Sequence, residues 1–147
     1  MPEQATWPGR GQILEMAAGF RPASVLGAAA ELDLFNLIGE QSLTAEAVTT
    51  NLDSDLRATR ILLDALAALR LLDKQGDCYE VPTELRPLLT DTGGQTILPM
   101  VRHNTSIQRG WSQLAWVVKA GIPGPRQASI RGFEADRAAF IAGMHSI

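Results

Sequence analysis

The stretch LTAEAVTTNLDSDLRATRILLDALAALRLLDKQGDCYEVP, residues 43–82, carries the most legible pattern in the chain. Thr44 stands where a helix N-cap is wanted, ahead of a short helix from Ala45 to about Asn51. Glu46 falls in that helix's first turn, where a carboxylate meets the positive end of the helix dipole. Asp53 or Ser54 suits the cap of a second helix, about Asp55 to Leu72. Within it Leu56, Ile61, Leu62, Ala65, Leu66, Leu69 and Leu72 recur at helical spacing. Arg60 and Asp64 stand four residues apart, which predicts a surface ion pair worth about 0.3–0.5 kcal/mol. Residues 73–77 are then polar with a turn glycine at Gly76, and Cys78-Tyr79-Glu80-Val81 alternates like a strand before Pro82. Helix, turn, longer helix and β-hairpin in this order predict a winged helix-turn-helix.

On the N-terminal side, residues 1–11 hold Pro2, Pro8, Gly9 and Gly11 and read as a flexible lead, with residues 12–147 as one folded unit. Gln12 to Phe20 has Ile13, Met16, Ala17 and Phe20 on one stripe, and Pro22 predicts a break and restart. The next helix, to about Leu32, is dense in apolar groups, and Leu34, Phe35, Leu37 and Ile38 extend that surface to a stop at Gly39. Helices this apolar over residues 12–38 must be covered, by their own fold or by another chain, and we expect a dimer. Gly19, Gly27 and Ala28–Ala30 are small enough to let another helix come close.

On the C-terminal side, residues 83–89 read as a short helix or turn and residues 91–94 as a loop. One helix is expected from about Thr96 to Ala120, burying Ile97, Met100, Val101, Ile107, Trp111, Leu114, Ala115 and Val118, and ended by Gly121-Ile122-Pro123-Gly124-Pro125. A last helix starts near Ala135, includes Ala139, Phe140, Ala142 and Met144, and reaches Ile147 without a C-cap or polar tail, as a chain cut in mid-element would. The predicted class is mainly α: a helical dimerisation region with a winged helix-turn-helix carrying a small β-hairpin.

The 147 residues suffice for one domain with its own core. A net charge of −3 gives no general attraction to nucleic acid or membrane. Cys78 is alone, so no internal disulfide is expected. The start lacks a secretory pattern, and no run approaches ~18 apolar residues; a cytoplasmic protein is the expectation. From Ile97 onward six bases face two acids, which reads as a solvated helix face or as a surface for an acidic partner.

No strand leads into Gly-x-Gly-x-x-Gly, no Walker loop occurs, and no Cys/His spacing suits zinc. Of the two histidines, His103 sits with Arg102 and Asn104 on what reads as a polar helix face, and Cys78 reads as a small packed hydrophobe. No self-contained catalytic constellation emerges. A winged helix also suggests DNA binding, but residues 42–90 hold eight acids against five bases, and the wing offers Lys74 alone against Asp73, Asp77 and Glu80. Such a surface repels phosphates.

Ala17-Ala18-Gly19-Phe20 and Val25-Leu26-Gly27-Ala28 through Leu34-Phe35 resemble the dimerisation helices of S-adenosylmethionine-dependent small-molecule O-methyltransferases, the branch of caffeate-type and bacterial polyketide-tailoring enzymes. Leu43-Thr44-Ala45-Glu46-Ala47-Val48, Leu56 to Leu66, Tyr79 to Thr83, Trp111-Ser112-Gln113-Leu114 and Phe140 to Ser146 are similar to that family's later runs. The resemblance implies a homodimer whose helices form one wall of the pocket for a small-molecule acceptor, an aromatic or polyketide-like hydroxyl compound. It implies that the helix from Phe140 to His145 lines that pocket, with Met144 and His145 foremost and Trp111 and Trp116 behind them. It also implies that S-adenosylmethionine and the general base belong to a Rossmann-like C-terminal domain outside these residues. This chain alone is then expected to bind no cofactor and to be inactive. A winged-helix transcription regulator and a free-standing dimerisation module remain the alternatives.

Overall fold

The computed structural model describes residues 7–145. In chain order the elements are α1 (Arg10–Ala18), α2 (Phe20–Glu31), α3 (Leu34–Ile38), β1 (Leu43–Thr44), α4 (Ala45–Leu52), α5 (Leu56–Ala68), β2 (Asp73–Gln75), β3 (Cys78–Glu80), α6 (Arg86–Leu89), a 3₁₀ turn (Asp91–Gly93), α7 (Leu98–Trp111), α8 (Leu114–Ala120) and α9 (Phe133–Met144). The mainly α class holds.

Side-chain caps frame the central part. Thr44 accepts a hydrogen bond from the Ala47 N–H at 3.2 Å and starts α4 where expected. The cap of α5 is Asp55, which accepts from the Ala58 N–H at 2.8 Å. Asp53 instead takes the left-handed conformation that closes α4, and Ser54 bonds the Thr59 hydroxyl at 2.7 Å.

α5 stops at Ala68, short of the expected Leu72. Arg70 turns left-handed with φ 59°, its N–H reaches Ala67 O at 3.0 Å, and the Leu71 N–H reaches Leu66 O at 2.9 Å. This Schellman turn swings Leu72 into the core. The buried face of α5 is Thr59, Leu63 and Leu66, so Leu63 replaces Leu56, Ile61 and Leu69, which are exposed.

The expected Arg60–Asp64 pair is also replaced. Arg60 reaches across to Glu46 on α4, and Asp64 accepts from Lys74 Nζ and from the Tyr79 hydroxyl, each at 2.7 Å. A pair with the base N-terminal to the acid runs against the helix dipole, and both groups find better partners on neighbouring elements. The hairpin turns at Gly76, whose φ of 60° suits glycine. β1 adds a third strand, with Leu43 opposite Tyr79 and order β1-β3-β2; two residues are too few to show alternation in sequence.

The core gathers Leu34, Phe35, Ile38, Val48, Leu63, Leu66, Tyr79, Val81 and Leu98 where α2 and α3 meet the helix-turn-helix and its sheet. α1 starts at Arg10, where Gln12 Oε1 accepts from the Gly9 N–H at 2.8 Å, and the chain restarts at Gly19; Pro22 lies inside the first turn of α2. The first six residues of the expected lead lie outside the described residues. The stripe assigned to α1 is surface: none of its residues is buried.

The single helix expected over 96–120 is two. Gly110 and Ser112 are weak helix formers, the Ser112 hydroxyl bonds back to Arg109 O at 2.7 Å, and α7 ends at Trp111. Of the residues expected to be buried there, Ile97, Ile107, Trp111, Leu114, Ala115 and Val118 are exposed, and Met100 and Val101 are half-buried. Leu98, outside that set, enters the core instead. Gly121, with φ 70°, ends α8 as expected.

α7 crosses α2 where a Cβ on Gly27 would lie 2.4 Å from Thr105 Oγ1. Gly27→Ala should therefore cost about 1–3 kcal/mol through overpacking. Thr105→Ala in the same chain should restore much of the loss, a coupling that a urea-denaturation double-mutant cycle reads directly.

The Lys74 ammonium, and after it the Tyr79 hydroxyl, hold the Asp64 carboxyl below its usual range. A pKa lowered on folding adds stability above the unfolded value of about 3.9 and loses it as pH falls through the folded value. Asp64 is 46% exposed, so less than about 1 kcal/mol is at stake. Thermal melts followed by circular dichroism should show acid sensitivity below about pH 4 that Asp64→Asn partly removes.

Candidate substrate cleft

α7, α8, the loop after Gly121 and α9 enclose an open cleft of about 1130 Å³. One wall is a stripe of α7, with His103, Ile107 and Gly110 at helical spacing; the other is α9, with Phe133, Arg137 and Phe140. Gly110 carries no side chain, which widens the floor. Trp111, Leu114 and Val117 make much of the remaining surface apolar, and the His103 and Phe140 rings approach at 4.9 Å between centroids, tilted by 51°. The loop is held by Gln113, whose Nε2 donates to Pro125 O at 3.1 Å, and it passes so close that a Cβ on Gly124 would meet Gln113 Oε1 at 2.4 Å.

Two arginines of α7 fix this wall to the core. Arg102 donates from Nε to Ala30 O at 2.9 Å and pairs with Asp33 at 2.7 Å. Burial, with Arg131 nearby, pulls its pKa below the usual guanidinium value, and it stays charged at neutral pH. Arg109 pairs with Glu31 at 2.5 Å and lies 3.6 Å from Asp136 of α9. Asp136 accepts in turn from the Ser129 N–H at 2.8 Å and the Ser129 hydroxyl at 2.5 Å.

Of the residues singled out in sequence, Phe140 and Trp111 line the cleft. Met144 and Trp116 are exposed outside its lining, and His145 turns Nδ1 to Ile141 O at 2.8 Å. His103 and Arg102, read as one polar face, divide: the first lines the cleft and the second is half-buried against the end of α2. Arg109, Asp136 and Arg137 entered the sequence reading only as part of the charge pattern after residue 97, and Phe133 carried no signal there.

The lining offers an apolar host for a planar molecule of moderate size, with polar groups at its edges. Gly27, Gly93, Gly124 and Gly143, the glycines most closely approached, are filled by Thr105, Pro87, Gln113 and Met100 of the same chain. The strands of the described residues are two or three residues long and antiparallel, with no strand feeding a glycine-rich helix start. Among the described residues no cluster of His, Cys, Asp and Glu suits a metal, and no helix is long and apolar enough to cross a membrane.

Residues 14–84 match the sequence model of the O-methyltransferase dimerisation domain. This segment is an O-methyltransferase dimerisation domain. The chain is 29% identical over 116 residues to the N,N-dimethyltransferase OxyT of Streptomyces rimosus, covering 76% of this chain and 33% of that protein. It is 31% identical over 102 residues to the S-adenosyl-L-methionine-dependent methyltransferase PigF of a Serratia species, covering 69% of this chain and 29% of that one. A solved O-methyltransferase family protein from Burkholderia thailandensis superposes with a TM-score of 0.76 at 26% identity, over 96% of this chain and 43% of that one. The chain thus spans about a third of the length of these curated relatives.

Arg109→Met would strand Glu31 and Asp136, both largely buried, without their cation. Breaking such a pair from one side costs about 3–5 kcal/mol, and the urea midpoint should fall accordingly.

Proposed function

We propose that this chain supplies the dimer interface and one wall of the acceptor pocket of an S-adenosylmethionine-dependent O-methyltransferase acting on an aromatic or polyketide-like small molecule in the cytoplasm. Residues 12–147 are then the dimerisation and winged-helix part, preceded by a lead over residues 1–11. The cofactor and the base that takes the acceptor proton belong to a Rossmann-like part that the relatives' greater length accommodates. Bound there, the cofactor supplies the methyl group. The residues of this chain bind and orient the acceptor and keep water from its apolar face.

One observation carries the dimer. α1 is a nine-residue helix with no buried residue, and Ile13, Leu14, Met16 and, just beyond it, Phe20 are all more than half exposed. So short a helix is marginal alone in water, and an apolar stripe of this kind is stabilised when a second copy covers it. Trp111 and Phe140 support the acceptor wall from within the cleft. We assign Met144, His145 and Trp116 to the continuation of that wall beneath the cofactor-binding part. The relative OxyT is named for transfer to nitrogen, which favours an amine acceptor as a second reading.

A DNA-binding role fits the charges less well. Arg60 is engaged by Glu46, and Lys74 by Asp64, so two of the cations on the helix-turn-helix and its hairpin are already neutralised by acids of the same chain.

Sedimentation equilibrium of the 147-residue chain should give a dimer at micromolar concentration and a monomer for the Met16→Glu, Phe20→Glu double variant. Equilibrium dialysis of the same chain with labelled S-adenosylmethionine should show no retention. A monomeric parent chain would remove the interface reading, and retained cofactor would remove the assignment of its site to another part.

A further inference from the structure

We infer that Arg109 is a positioning residue that ties closure of α9 over the cleft to acceptor binding, an inference that rests on reading the cleft as the acceptor pocket. Three elements meet at its guanidinium. Glu31 of α2 holds it tightly at 2.5 Å, while Asp136 of α9 stands off at 3.6 Å. Nε and Nη2 are buried and have no hydrogen-bond partner among the described residues. Buried donors are ordinarily satisfied, and a purely structural ion pair would use them. The arrangement is tight on the side of the core and slack on the side of the cleft.

The slack side is also the one that can move as a unit. Asp136 grips Ser129 through both the backbone N–H and the hydroxyl, so the end of the loop and the first turns of α9 travel together. A shift of about 0.7 Å toward α7 brings the carboxylate to charge-assisted hydrogen-bond distance and gives Nη2 an acceptor. The same shift brings Phe133 of α9 toward Ile107 of α7 across the cleft, beside the His103 and Phe140 rings that already touch at 4.9 Å between centroids. In the open cleft these apolar walls face water. A planar ligand between them displaces that water and gains contact as the walls approach, so its binding favours the closed arrangement.

The three tryptophans make the test local, because Trp111 lines the cleft whereas Trp7 and Trp116 do not. The probe is 2-naphthol, titrated into ¹⁵N-labelled 147-residue chain and followed through the indole resonances. Hydrogen exchange of residues 133–144 is measured with and without it. In the parent chain the probe should shift Trp111 alone and slow exchange along α9. Asp136→Asn should weaken binding by about fivefold or more, the lower end of usual coupling between sites, and should abolish the probe-dependent protection. Arg109→Lys keeps a charge beside Glu31 but lacks the forked guanidinium, and should give the same loss; it decides the matter should Asp136→Asn no longer melt cooperatively. Parent-like affinity and protection in these variants would overturn the coupling while leaving the cleft as a binding site. An unresponsive Trp111 in the parent chain would remove the acceptor-pocket reading, and this inference with it.

Discussion

The architecture turns on how closely α7 can lie against α2. Gly27 presents no side chain to Thr105, and that missing Cβ lets the two helices approach within reach of short contacts. The approach has an electrostatic consequence. Arg102 and Arg109, seven residues apart on α7, arrive at the C-terminal end of α2, where Ala30 O, Glu31 and Asp33 wait. Cations there meet the negative end of the helix dipole as well as the carboxylates. Once α7 is fixed on this side, its other side becomes a rigid wall, and the cleft is defined by whatever α8 and α9 place opposite.

This explains why the central part was legible and the C-terminal part was not. Thr44, the rhythm of α4 and α5, Gly76 and the alternation at Cys78–Val81 are local signals, each satisfied within a few residues. The stop of α5 at Arg70 was hidden because a non-glycine residue took the left-handed position. The phase error that missed Leu63 follows from a helix whose apolar residues spread over more than one face. In α7–α9 the periodicity correctly marked apolar faces, but it cannot say whether the same chain covers them. Trp111 and Val118 are two such residues, exposed although their spacing suggested burial.

Charge shows the same division. The excess of bases after residue 97 read as a solvated helix face or as a surface for an acidic partner, not as a partner for acids of the same chain. Arg109 and Glu31 are 78 residues apart in sequence yet meet at 2.5 Å. Nothing local connects them, so the ion pairs that hold the candidate site together could not be assigned from pattern alone. Family resemblance pointed to Phe140 and Trp111, which line the cleft, and not to Arg109 and Asp136, which line it as well.

The distribution of exposed apolar surface then argues about assembly. Isolated exposed side chains are ordinary on a monomer, but contiguous ones mark surfaces meant to be covered. Here they collect on α1 and along α8 and α9, while the helix-turn-helix and its sheet bury Leu63, Leu66, Tyr79 and Val81 but leave Leu56, Ile61 and Leu69 exposed. The helix-turn-helix still contributes Val48, Leu63 and Leu66 to the core, and Arg60 and Lys74 are paired with Glu46 and Asp64. The apolar surfaces of α1, α8 and α9 lie on either side of it in sequence. On the reading proposed above, the centre supplies stability, and the two apolar ends are the surfaces that a second copy and the cofactor-binding part would cover.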